Sequence, residues 1–260
     1  DANSPEALEI QNQGQLHVDY NGKMIPLSTV PSMFAGNNGK SKGTINRIAL
    51  YYNHIYVVGN DKLHIFQTNE SGISKSNPIK VDEGSETVYV DRNRLYVGSE
   101  SMVRIYSLNN RSNPRLSSKV EHATSCDPVL AEGNIAYSTL RSVTNEGCTG
   151  TENVLMVLDV EQANRAKMIR SLDMRSPYGM ALINNHLFVG EGLNGLTIFD
   201  VGTREKPKEV EQREDLVAYD VMAHPTDPNI IIMTHRNGLK EYYINWGDRS
   251  LVEVGSLQYR

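Results

Sequence analysis

The sequence predicts an all-β fold, a five-bladed β-propeller of four-stranded antiparallel blades, and three observations carry that expectation. First, a short unit occurs five times: an apolar stretch, a turn with Asn or Gly, a tetrad reading apolar-aromatic-apolar-small, and a second apolar stretch. The tetrads are Ile55-Tyr56-Val57-Val58, Leu95-Tyr96-Val97-Gly98, Ala136-Tyr137-Ser138-Thr139, Leu187-Phe188-Val189-Gly190 and Ile231-Ile232-Met233-Thr234. Second, their second positions are spaced by 40, 41, 51 and 44 residues, a period that fits one four-stranded propeller blade. Third, the apolar stretches are short and rich in Val, Ile, Tyr, Phe and Thr, and no helical period is sustained. A β-sandwich would use the same residue types but would not need a unit of repeated length, whereas radial repetition does.

Taken in order, residues 1–44 stand apart from the repeats as an extension and linker. They include the apolar segments Leu8–Gln11, Gln15–Asp19 and Met24–Leu27, with Asn21-Gly22 between the last two as a hairpin turn. Phe34–Gly43 is Gly- and Asn-rich and reads as a flexible connection. The five repeats occupy 45–260, entering on an inner strand and leaving on an outer one. An incomplete sixth blade built from the N-terminal segment is the alternative architecture. The fourth repeat shows the internal pattern best, with strands expected at Gly179–Ile183, His186–Gly190, Leu196–Val201 and Lys208–Gln212.

Composition narrows the class further. With 260 residues, 26 basic and 31 acidic side chains and a net charge of -5, the chain is long enough for a sizeable core. Its balance gives no electrostatic reason to expect a nucleic-acid partner. The 20 Gly and 2 Cys exclude collagen-like and disulfide-framework classes. No apolar run approaches the roughly 20 residues of a membrane helix. The expectation is a soluble globular monomer.

The third and fourth repeats carry a family resemblance. Ser125-Cys126-Asp127-Pro128-Val129, then Gly133-Asn134-Ile135-Ala136-Tyr137-Ser138-Thr139-Leu140-Arg141 and Cys148, resemble the corresponding stretch of bacterial LVIVD-repeat proteins. So do Val157-Leu158-Asp159-Val160, Ser176-Pro177-Tyr178-Gly179-Met180 and Gly195-Leu196-Thr197-Ile198-Phe199-Asp200-Val201. The similarity spans about 45 to 250 and is most specific between 122 and 201; it departs at Tyr178, where the family often has His, and in the fifth repeat. The resemblance implies a propeller fold and an exported protein of the periplasm or bacterial cell surface, with room for a lipid anchor upstream of Asp1. It implies no reaction.

The two cysteines give a local geometric expectation. Cys126 opens the first strand of the third blade and Cys148 follows its second strand. In an antiparallel blade those points share one end of the sheet. A Cys126–Cys148 disulfide is therefore expected; two free thiols or a metal site are the alternatives, and the metal reading lacks a CxxC pair or a His at ligand spacing.

Aligning the repeats from their tetrads places Asn46, Glu86, Asp127, Tyr178 and Asp220 at equivalent points near the start of each innermost strand, with a two-residue insertion allowed in the fifth. Three carboxylates in such a ring suit a cation such as calcium, or an acid and base for glycoside cleavage. Turn capping or channel water accounts for the same residues without a ligand. No cofactor is otherwise implied. On the loops of that face, Arg141, Glu191 and His235 are candidate contacts for a polar ligand. Gly36-Asn37-Asn38-Gly39-Lys40-Ser41 fails as a phosphate loop because Phe34 replaces the first Gly, and HExxH does not occur. Two function classes remain: a non-enzymatic envelope binding or scaffold protein that holds a protein or glycan partner on one propeller face, and a propeller hydrolase or lyase with carboxylates at the channel mouth.

Overall fold

The computed structural model describes residues 17–20, 23–26, 47–59, 61–82, 84–85, 87–99, 101–122, 128–142, 152–162 and 164–258. A two-stranded hairpin, β1 (His17–Tyr20) and β2 (Lys23–Pro26), precedes the blades. Blade one comprises β3 (Arg47–Tyr51), β4 (His54–Gly59), β5 (Lys62–Asn69) and an outer strand in two pieces, β6 (Gly72–Lys75) and β7 (Ile79–Lys80), both paired to β5. Blade two is β8 (Thr87–Asp91), β9 (Arg94–Gly98), β10 (Met102–Ser107) and β11 (Arg115–Glu121). Blade three is β12 (Val129–Glu132), β13 (Ile135–Leu140), β14 (Val154–Asp159) and β15 (Lys167–Asp173). Blade four is β16 (Met180–Ile183), β17 (His186–Gly190), β18 (Leu196–Asp200) and β19 (Lys208–Arg213). Blade five is β20 (Asp220–Ala223), β21 (Ile230–His235), β22 (Gly238–Ile244) and β23 (Leu251–Gln258). Each blade is antiparallel with its strands in chain order, and together they form a five-bladed β-propeller.

Every tetrad lies on the second strand of its blade, and that strand is buried on both faces in the first four blades. Strict apolar-polar alternation is therefore absent there, because both faces are out of water. Alternate residues of a strand feed different cores. In blade one Tyr56 and Val58 join Val88, Leu95, Val97 and Tyr106 of blade two; Tyr96 of blade two joins Ala131 and Ala136 of blade three. Tyr137 then meets Leu187 and Val189, and Phe188 meets Val221 and Ile231.

The aromatic of the tetrad also fastens three of the blades to a loop of the next. Tyr56 Oη donates to the Arg111 carbonyl at 2.9 Å, and Tyr137 Oη donates to the Arg204 carbonyl at 2.9 Å. Phe188 has no hydroxyl, and there Trp246 packs on it at 6.4 Å between centroids while its indole Nε1 donates to Asn229. Arg204 adds an ion pair back to Glu132 of the third blade. Outer strands are mostly exposed and kinked: in blades two to five an extra residue, Ser117, Ile169, Val210 or Val254, interrupts the register against the third strand. Such bulges raise the local twist. In blade one the outer strand breaks outright before Pro78, which has no N–H for the ladder.

The connection from blade one to blade two is pinned by Arg104, whose Nε and Nη2 donate to the two oxygens of Asp82 at 2.6 and 2.7 Å. These hydrogen bonds hold the Asp82 carboxyl below its ordinary range. The pair therefore stabilises the fold above the unfolded carboxylate value of about 3.9 and loses that contribution as pH falls through the lower folded value. Asp82→Asn should cost stability at pH 7 and lose most of that deficit at pH 2. Urea midpoints for both proteins at the two pH values measure this, and an equal gap at both would exclude the coupling.

Candidate functional site

The described residues place a polar and aromatic cluster where the innermost strands of blades three to five begin. Tyr178 is set by two backbone bonds: its N–H donates to the Gly190 carbonyl at 2.7 Å, and its carbonyl accepts from Thr139 Oγ1 of the third blade at 2.9 Å. Tyr219 is held the same way, its N–H donating to Thr234 at 2.9 Å and its carbonyl accepting from Gly179 N–H of the fourth blade at 3.0 Å. The two rings meet edge to face at 5.1 Å, and the Arg141 guanidinium lies 3.9 Å from the Tyr178 centroid. Such a cation–π contact contributes about 0.5–1 kcal/mol at a partly exposed site.

A glycine makes the ring pair possible. Gly192 sits at φ +61, and a Cβ there would lie 2.8 Å from the Tyr178 ring and 3.2 Å from that of Tyr219. Its backbone bridges Ala218 in both directions, so the 191–195 turn is fastened to the entry of blade five. Leu193, next along the turn, is 59% exposed.

The ladders correct the alignment in the fifth repeat. Met180 pairs with Val189 and Val221 with Met233, so the residue equivalent to Tyr178 is Tyr219, and Asp220 corresponds to Gly179. The insertion is three residues, because the turn 184–185 of blade four becomes 225–229 in blade five. A one-residue slip moves a side chain to the opposite face of a strand. Asp220 accepts from Val221 N–H at 2.9 Å and lies 3.7 Å from Arg47 of the first blade. Its carboxylate occupies the space above Gly179, where any Cβ would collide with it.

The loop candidates separate. Arg141 joins the tyrosines. Glu191 does not: it is 1% exposed, and both its oxygens are saturated. Oε1 accepts from the backbone N–H of Arg175 and Ser176 at 2.8 and 3.3 Å, and Oε2 accepts from Thr197 Oγ1 and Gln212 Nε2 at 2.6 and 3.2 Å. It forms the floor of a pocket of about 260 Å³ shared with Met174, Arg175 and Phe199, and ties the entry of blade four to its own sheet. His235 is half-buried and accepts from Asn237 N–H at 3.4 Å. Asn46, Glu86, Asp127 and the Cys126–Cys148 pair lie outside the described residues. Among the described residues no group of three or more His, Cys, Asp or Glu side chains is arranged to hold a metal. Sequence reasoning missed Tyr219, Arg47 and Gly192; the signal for Tyr219 was present as a second Tyr beside Asp220, hidden by the insertion.

No protein-family model matches the chain, and no curated protein matches its sequence. Solved structures do. A functionally unknown protein from Desulfotomaculum acetoxidans aligns with TM-score 0.69 at 10% identity over 85% of this chain and 71% of that one. A Lactobacillus plantarum protein aligns with TM-score 0.63 at 12% identity, over 82% and 70%. Apo AztD from Citrobacter koseri aligns with TM-score 0.61 at 10% identity, over 85% of this chain and 63% of its own length. The scaffold is a β-propeller. At these identities the likeness establishes the fold and carries no activity.

Glu191→Gln replaces an acceptor that serves four donors with a group that is half donor. It should lower stability by about 2 kcal/mol, a typical cost of leaving a buried partner unsatisfied. Unchanged urea unfolding at pH 7 would remove Glu191 from this structural role.

Proposed function

We propose that the chain is a non-enzymatic binding module of the bacterial cell envelope that engages a protein partner through the channel-mouth face around Arg141, Tyr178 and Tyr219. The observation that carries the reading is the Arg141–Tyr178–Tyr219 cluster, its two tyrosines positioned by hydrogen bonds that join neighbouring blades. Arg and Tyr dominate the energetics of protein interfaces when they are held in place, since little rotamer freedom is then lost on binding. Exposed Leu193 adds an apolar contact beside them. The Arg side chain covers the Tyr178 ring face that a sugar would stack on, which favours a protein over a glycan. Of the three ring carboxylates invoked for a hydrolase, Asp220 is the described one, and it is engaged by Arg47 and a backbone N–H. The envelope location rests on the resemblance to exported LVIVD-repeat proteins and on the expected disulfide.

Immobilised wild type and the Arg141→Ala and Tyr178→Ala variants, each incubated with detergent-solubilised envelope extract, test the binding face. A specific protein should be retained by wild type and fall at least tenfold with either variant, the size of a hot-spot loss. Equal retention by all three would exclude this face.

Compartment and disulfide have a separate test. Alkylation of the unreduced, denatured full chain should leave Cys126 and Cys148 unmodified, and reduction should lower stability by about 2–4 kcal/mol. Quantitative alkylation without reductant would remove both the bridge and its support for an oxidising compartment.

A further inference from the structure

Blade four departs from the others at the residue that follows its tetrad. That residue is Gly59, Ser99, Leu140 and His235 in blades one, two, three and five, and Glu191 in blade four. A blade of this fold closes without a carboxylate there, yet Glu191 is 1% exposed. Its hydrogen bonds come from neutral donors: the backbone N–H groups of Arg175 and Ser176, the Thr197 hydroxyl and the Gln212 amide. Among the described residues Glu191 has no ion-pair partner, and the guanidinium of neighbouring Arg175 is taken by Glu214 at 2.5 Å. A buried charge is ordinarily matched by an opposite one. Here it lies against the pocket of about 260 Å³.

A register shift builds the pocket wall. Val210 is the extra residue of the outer strand, so that Glu209 pairs with Phe199 and Gln212 with Thr197. Paired residues share a face of a sheet, whereas residues three apart in an unbroken strand point to opposite faces. The bulge thus brings a carboxylate, an amide, a hydroxyl and an aromatic ring to one side of blade four. Asp173 at the end of β15, and Met174 after it, close the crevice from blade three. Phe199 is buried in the core shared with blade three, and Met174 packs against that core, so the wall between the polar groups is apolar.

The polar groups lack a donor. The Thr197 hydroxyl has one proton, and two acceptors lie within reach, Glu191 Oε2 at 2.6 Å and Gln212 Oε1 at 3.0 Å. The carboxylate, closer and charged, takes it. The Gln212 amide cannot turn round to compensate, because its Nε2 donates to Glu191 Oε2 and to the Asn194 carbonyl, both at 3.2 Å. Gln212 Oε1 is left as an acceptor without a proton. At the rim, Asp173 and Glu209 have no side-chain hydrogen bond or ion pair among the described residues.

We propose that this crevice between blades three and four binds a primary alkylammonium group. Its methylene stem lies against Phe199 and Met174, and its N–H donors serve Gln212 Oε1 and the rim carboxylates of Asp173 and Glu209. Glu191 acts through its charge, since both its oxygens are already filled. That also selects among cations. The planar fork of a guanidinium seeks both oxygens of one carboxylate, and the buried one offers neither, whereas an ammonium is a compact charge with rotatable donors. A volume below the roughly 300–1,000 Å³ of drug-sized sites limits the stem to a few carbons. A free small amine and the lysine side chain of a partner present this same group. The crevice shares no residue with the Arg141, Tyr178 and Tyr219 cluster, so the two proposals stand or fall separately.

The test titrates the full 260-residue chain with butylammonium at neutral pH and low salt, following the backbone amide signals of Arg175, Ser176 and Thr197. Saturable shifts at these amides are expected, weakening as salt is added. Butanol, similar in shape and uncharged, should bind at least tenfold more weakly. Glu209→Lys, an exposed change that leaves the Glu191 hydrogen bonds in place, should weaken butylammonium several-fold. Glu191→Gln, measured under conditions where its circular dichroism matches wild type, should weaken it at least tenfold. Titration with diaminobutane and with a lysine blocked at both backbone ends then names the source: tighter binding of the diamine supports a free amine, and tighter binding of the blocked lysine supports a partner's side chain. Absence of saturable shifts at these amides, equal binding of butanol, or wild-type affinity in either variant would overturn the proposal.

Discussion

The structure depends on one constraint: the second strand of each of the first four blades is covered on both faces. An isolated four-stranded sheet can hide one side of that strand at most. Placing blades side by side around an axis supplies the second cover, and the side chains at Tyr56, Tyr96, Tyr137 and Phe188 are fully buried because the next blade closes over them. Each of the four boundaries from blade one to blade five is thus part of both neighbouring sheets' cores, and stability passes from blade to blade by nearest-neighbour contacts.

The candidate site follows from the same stitching. Thr139 bonds to Tyr178, and Gly179 to Tyr219, so the bonds that join blade to blade also aim two aromatic rings at a common space. Gly192 clears that space, and Arg141 lies over the first ring. Glu191 shows the other use of a charged group near such a site. Its carboxylate is consumed in holding the Arg175-Ser176 connection and the blade-four ladder together, which makes it part of the frame.

Much of the fold was legible in the residues. The expected fourth-repeat strands differ from the observed ones by at most a residue at an end, and His186–Gly190 coincides. Legibility came from local chemistry: short β-branched runs, and Asn or Gly at tight turns such as Gly133-Asn134 and Asn184-Asn185, where positive φ is required. The site was less legible. Tyr178 and Arg141 were singled out and do meet, but Tyr219 was displaced by one position, and nothing in the string Gly190-Glu191-Gly192 announced that Glu191 would be buried.

The sequence by itself determined the blade type and the order of strands within a blade, because a buried strand bounded by turn residues leaves a local pattern that repeats; it left five blades beside six with an incomplete N-terminal one. Tertiary structure decided which residues are equivalent across blades, since a three-residue insertion in one hairpin shifts the register and turns Asp220 and Tyr219 to opposite faces. It also decided which charges are frame and which are surface. Those properties depend on contacts between residues far apart in the chain, and burial by a distant neighbour has no signature in the residues that are buried.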